Sequence, residues 1–127
     1  MDEKILILDH DVQSIIALTD LCNLLGVNSD KLNHCLSHNE VKSILKSVTL
    51  LIIDYDSISF NHLKILQESL SPKQKIIVLT AFIDPKMYQK LKELDIWKIY
   101  PKPLSIVDLG KVLMDFNFIS ELPPNYD

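Results

Sequence analysis

The chain has 127 residues, 47% of them hydrophobic and 24% charged, with a formal net charge of -4; that allows one ordinary core but not a core plus a separate cap domain. The acidic balance argues against a nucleic-acid surface, which needs clustered Lys and Arg, and no run approaches the roughly 18 apolar residues of a membrane span. Met1-Asp2-Glu3-Lys4 lacks the features of a signal peptide, and Cys22 and Cys35 have no metal or disulfide spacing, so a cytoplasmic protein with two reduced thiols is expected.

Strand and helix patterns alternate along the chain, the mark of a parallel α/β sheet with crossover helices. Ile5–Leu8 is a four-residue apolar run that ends in Asp9-His10-Asp11. It is too short for a helix and uniformly hydrophobic, as a strand buried on both faces must be. Val12, Ile15, Ile16, Thr19, Cys22 and Leu25 then predict an amphipathic helix, with Gly26 at its left-handed end. A second strand is expected within Lys31–Leu36, and a helix over Asn39–Ser47 with Val41, Ile44 and Leu45 inward.

Leu50–Ile53 is the next buried strand and ends in Asp54; a polar loop leads to a helix over Asn61–Leu70, stopped by Ser71-Pro72. Ile76–Leu79 runs into Thr80-Ala81. Asp84-Pro85 reads as a cap with proline at the first helical position, and Met87, Leu91 and Leu94 form that helix's inner face. Lys86, Lys90 and Lys92, near Lys98, are interrupted by Glu93 and Asp95 and read as a solvated face. Lys98–Tyr100 is a last strand, placed at the sheet edge because Pro101 has no ladder donor. Ser105-x-x-Asp108 opens a final helix through Phe116. The expectation is one domain over 1–118 and a tail or linker stub over 119–127, with Asn117 onward a tether or a frayed end.

In a parallel sheet, ligands bind just outside the carboxyl ends of the strands. Asp9, Asp54, Thr80 and Lys102 should therefore converge on one small acidic site. A carboxylate attacks a phosphoryl group only when a cation neutralises the charge between them, and a lysine and a hydroxyl can hold the product's oxygens. Asp9, Asp11, Asp54 and Asp56 on one rim would repel or recruit such a cation.

In order and spacing, the acidic loop after the first strand, Asp54, Thr80, Ala81 and Lys102-Pro103 resemble the receiver domain of bacterial two-component response regulators, over about residues 3–116. The resemblance implies a flavodoxin-like fold, a five-stranded parallel sheet in the order 2-1-3-4-5 flanked by five helices. It implies that Asp54 takes a phosphoryl group from a sensor histidine kinase or phosphotransfer protein. Asp9, Asp54 and the backbone carbonyl of Asp56 would hold Mg²⁺. Thr80, Ala81 and Lys102 would bind the phosphoryl group, and the Lys102–Pro103 bond would be cis. It also implies a signalling switch rather than an enzyme, and homodimers through the last helix–strand–helix face.

Departures from the pattern are specific. His10 occupies the place of the second acid, the usual direct magnesium ligand, and offers nitrogen where a hard ion wants oxygen. The loop Tyr55-Asp56-Ser57-Ile58 lacks the usual Met-Pro. Ile99 stands where an aromatic switch residue is usual, with Tyr100 facing the other side of the strand. These departures give the alternative, a phosphorylation-independent pseudo-receiver acting through its surfaces. Trp97, Ile99 and Tyr100 make the last strand region apolar, for packing or for a partner, while His34, His38 and His62 read as surface residues.

Two other classes share part of this pattern or topology. Asp9-His10-Asp11 with Leu79-Thr80 resembles the first two motifs of haloacid dehalogenases, with Asp9 as nucleophile. That family needs an acidic pair beyond its lysine after a further strand, and only Asp108 and Asp115 follow Lys102, both in a predicted helix. A flavin or nucleotide binder lacks its phosphate loop, since Gly26 and Gly110 are the only glycines.

Overall fold

The computed structural model describes residues 4–32 and 38–122. The elements are β1 (Ile5–Leu8), α1 (Val12–Leu24), β2 (Ser29–Leu32), α2 (His38–Leu45), β3 (Leu50–Asp54), α3 (Phe60–Ser69), β4 (Lys75–Thr80), α4 (Pro85–Glu93), β5 (Lys98–Pro101) and α5 (Ile106–Asp115). All five strands are parallel, in the order β2-β1-β3-β4-β5. This is the flavodoxin-like arrangement expected. No helix among the described residues is long and apolar enough to cross a membrane.

The strand period of two divides the core into two layers. Ile5, Ile7, Leu50, Ile52, Ile77 and Leu79 face α1 and α5, where they meet Ile15, Leu18, Cys22, Leu109, Val112 and Leu113. Leu6, Leu8, Leu51, Ile53, Ile76 and Val78 face the other helices through Leu45, Leu63, Leu66, Met87 and Leu91. Apolar residues at consecutive positions are thus required twice over, once for each layer.

Several details differ from the sequence expectations. β2 forms at Ser29–Leu32, ahead of the expected window. It is an edge strand paired only with β1, and Asp30 and Lys31 are exposed, so it needs no apolar run. On α1 the inward stripe is Ile15, Leu18, Cys22 and Leu25, whereas Val12 and Ile16 are exposed. Steps of three and four keep the first set on one face, and Val12 and Ile16 fall beside it. His34 and Cys35 lie outside the described residues, as do the side chains of His38 and Val41. His62 is exposed.

Local capping follows the sequence. Asp11, Ser59, Asp84 and Ser105 each accept backbone N–H groups at a helix start. Gly26 takes φ 80° after α1, but the corresponding positions after α4 and α5 are Asp95 (φ 63°) and Asn117 (φ 61°). After α4, the Ile96 N–H bonds the Leu91 carbonyl and the Asp95 N–H that of Lys92, the paired closure of a left-handed helix end.

The segment after α5 is packed rather than frayed as far as Leu122. Phe118, Ile119 and Leu122 lie against the α1/α5 layer, and Trp97 meets Phe116 edge-on with centroids 4.9 Å apart. At Gly110 an added Cβ would come 2.0 Å from Leu122 Cδ2, so this glycine makes room for the segment.

Candidate functional site

Parallel register sets the site. Leu8 pairs with Ile53 and Asp54 with Leu79, so the residues leaving β1, β3 and β4 emerge side by side. Among the described residues the buried polar ones are Asp9, Asp54 and Thr80, 1%, 3% and 3% exposed. Two buried carboxylates on neighbouring strands require a counter-charge.

Lys102 supplies it. β5 carries the chain past Thr80, where the Lys102 N–H bonds the Thr80 carbonyl at 2.7 Å, and the Lys102–Pro103 peptide is cis, as expected. Its Nζ lies 2.8 Å from Asp9 Oδ2 and 3.1 Å from Asp54 Oδ1, and donates to Ser14 Oγ at 3.3 Å. Burial alone would push this ammonium down, but its bonds to Asp9 and Asp54 and their charges outweigh that, holding it above the ordinary lysine range.

The remaining carboxylate oxygens also have donors. Asp9 Oδ1 accepts the Asp11 N–H at 2.9 Å, and Asp54 Oδ2 accepts the Ser57 hydroxyl at 2.6 Å. Ser57 sits on a 3-10 turn, Tyr55–Ser57, that follows β3 directly. Its Oγ also accepts the His10 N–H at 2.8 Å and lies 2.5 Å from His10 Nδ1. The His10 ring, 62% exposed, covers the pocket mouth with Nδ1 3.5 Å from Asp54 Oδ2 and 4.0 Å from Asp9 Oδ1.

Asp9, His10, Asp54 and Lys102 thus come together. Thr80 ends β4 beside them, but its hydroxyl donates to the Phe82 carbonyl in its own loop at 3.0 Å. Ala81 and Asp56 are exposed on the loops that flank the pocket. Asp11 caps α1: hydrogen bonds from the Gln13 N–H and the Ser14 hydroxyl hold its carboxyl below the usual range. Ile99 packs in the layer of α3 and α4, and Tyr100 in that of α1 and α5, on opposite faces as expected. Asp108 and Asp115 lie on α5, a helix rather than a strand end.

Ser14 and Ser57 were missed by sequence reasoning. For Ser57 a signal existed. In a 3-10 turn, side chains three apart eclipse, so a tight turn after β3 brings residue 57 over residue 54.

Asp9, His10 and Asp54 each offer a ligand atom within 4.8 Å of the others, a grouping that could hold a divalent ion. The two carboxylates suit a hard ion and the imidazole nitrogen does not. With all four carboxylate oxygens already accepting protein donors, the set fits magnesium poorly.

No protein-family model and no curated protein matches this sequence. Solved structures do. One is Vibrio cholerae chemotaxis protein CheY4: TM-score 0.73, 18% identity, 91% of this chain and 99% of that one. Another is Salmonella enterica serovar Typhimurium RcsB, bound to promoter rprA with the phosphomimetic BeF₃⁻: TM-score 0.72, 21% identity, 96% of this chain and 70% of that one. A pilus assembly-related protein of Burkholderia pseudomallei is also similar: TM-score 0.74, 14% identity, 89% and 87% covered. At such identities the likeness is one of architecture: this chain has the receiver fold of the response regulators.

Proposed function

We propose that this chain is a receiver-type signalling domain in which Asp54 accepts a phosphoryl group from a histidine kinase or phosphotransfer protein. One observation carries the reading: the Lys102 ammonium bonds both Asp9 and Asp54 where the strands end. An Asp54 oxygen forms the new bond to phosphorus as the donor's phosphorus–nitrogen bond breaks, and the donor imidazole leaves with the electron pair. Lys102 then follows the charge onto the phosphoryl oxygens. Thr80 can join it by exchanging the Phe82 carbonyl for a phosphoryl oxygen, and the exposed Ala81 leaves the approach open.

A second reading, a phosphorylation-independent interaction module, is favoured by Ser57, which already occupies Asp54 Oδ2. Intact-mass analysis after acetyl phosphate separates the two. A phosphoryl adduct that disappears in Asp54→Asn supports the first, and no adduct on the folded chain supports the second.

A further inference from the structure

The contacts of Ser57 fix the direction of a hydrogen-bond chain. A serine hydroxyl has one proton and two lone pairs, and an ionised carboxylate can only accept. At 2.6 Å from Asp54 Oδ2, the Ser57 proton must therefore point at Asp54. The His10 backbone N–H takes one Ser57 lone pair at 2.8 Å. With that proton committed to Asp54, the 2.5 Å contact between Ser57 Oγ and the ring makes His10 Nδ1 the donor. With Nδ1 as the donor, the nitrogen that faces the two carboxylates has no lone pair for a metal.

We propose that His10 and Ser57 form a clamp that takes the place of a divalent cation: His10 Nδ1–H donates to Ser57, and Ser57 donates to Asp54. The clamp holds one oxygen of Asp54 while Lys102 holds the other, and it shuts magnesium out of the pocket. Charge agrees with geometry. Asp9, Asp54 and Lys102 sum to one net negative charge when the imidazole is counted neutral, whereas an acid at position 10 would leave two. An ion entering between Asp9 and Asp54 would have to break the Ser57–Asp54 bond and displace the ring, and it would gain no third oxygen from residue 10. His10 and Ser57 are positioning residues in this scheme. The clamp is read out without phosphorylation, and a pocket closed to magnesium favours the phosphorylation-independent reading of Asp54 over the phosphoacceptor one.

Two measurements on the full chain test it. Two-bond ¹H–¹⁵N spectra at alkaline pH should show His10 as the Nδ1–H tautomer, and Ser57→Ala should shift it to Nε2–H. Calorimetric titration with MgCl₂ should give no saturable binding to the wild-type chain, saturable binding to His10→Asp, and loss of that binding when Asp9→Asn is added. An Nε2–H tautomer in the wild type overturns the proposal. So does wild-type magnesium binding that Asp54→Asn abolishes, or a folded His10→Asp chain that still binds none. Should His10→Asp not fold, the tautomer and its response to Ser57→Ala decide alone.

Discussion

Lys102→Met removes the ammonium bonded to two buried carboxylates. At separations of 2.8 and 3.1 Å the gross attractions are about 6 and about 5 kcal/mol at an effective dielectric constant near 20. Desolvation of all three groups and repulsion between the acids cancel much of this, and what removal exposes is the uncompensated charge. Losing one partner of a buried pair costs about 3–5 kcal/mol. In a domain of this size that lowers the melting temperature by roughly 10 to 20 °C. The expected result in urea unfolding at neutral pH is a loss of about 4 kcal/mol, with about half recovered in Lys102→Met/Asp54→Asn, where only Asp9 stays charged. The pH dependence has a definite sign. Because Lys102 is held above the ordinary lysine range, its pairing is fully present below the unfolded-chain value and is lost as pH rises through the raised folded value. The gap between wild type and Lys102→Met should therefore close only in strong alkali. A loss below about 1 kcal/mol, or no recovery in the double variant, would refute the reasoning.

Other outcomes follow from single features. Asp95→Gly and Asn117→Gly should each stabilise by about 0.5 kcal/mol in the same unfolding assay, since both positions have positive φ. At position 95 nothing else is lost, because Gln67 bonds the backbone carbonyl. Asp84→Ala should cost about 1 kcal/mol by removing the acceptor of the Lys86 and Met87 N–H groups. In a Cys35→Ser background, Cys22 should resist alkylation until the chain unfolds, because burial pushes its thiol up to about 11. Asp11 is held below the usual carboxyl range, so its capping contribution is present above the unfolded-chain value. It should fade as pH falls through the folded value, an acid limb that Asp11→Asn lacks.

The sheet was legible because β1, β3 and β4 are buried on both faces and state that requirement in four consecutive apolar residues each. β2 was misplaced for the converse reason: at an edge, backbone pairing alone defines it, and Ser29-Asp30-Lys31 carries no pattern of burial. The stop after Gly26 was read from glycine chemistry, while Asp95 and Asn117 serve the same purpose without that signal. The packed stretch after α5 was hidden for a related reason. Phe118, Ile119 and Leu122 follow no helical or strand period, and the cue that they pack was Gly110, whose missing side chain has meaning only once Leu122 is seen above it.

The acidic site divides along a similar line, and the division bears on how the domain operates. Asp9, Asp54 and Thr80 could be read because each stands at or just past the end of a strand, so topology alone brings them together. The bond between His10 and Ser57 joins residues 47 apart through side chains on two loops. His10 read alone implies only the loss of an acid, and Ser57 read alone implies only an altered loop. Together they give Asp54 a hydroxyl donor where an ion would otherwise stand. A variant at either position therefore tests the other: Ser57→Ala should release His10 as well as Asp54, and His10→Ala should leave the Ser57 hydroxyl bonded to Asp54 and to the backbone N–H of residue 10 but without the ring contact. The two substitutions should be non-additive in unfolding free energy, by about 1 kcal/mol for neighbours sharing one hydrogen-bond network. Strict additivity would mean that the ring and the hydroxyl act on Asp54 separately.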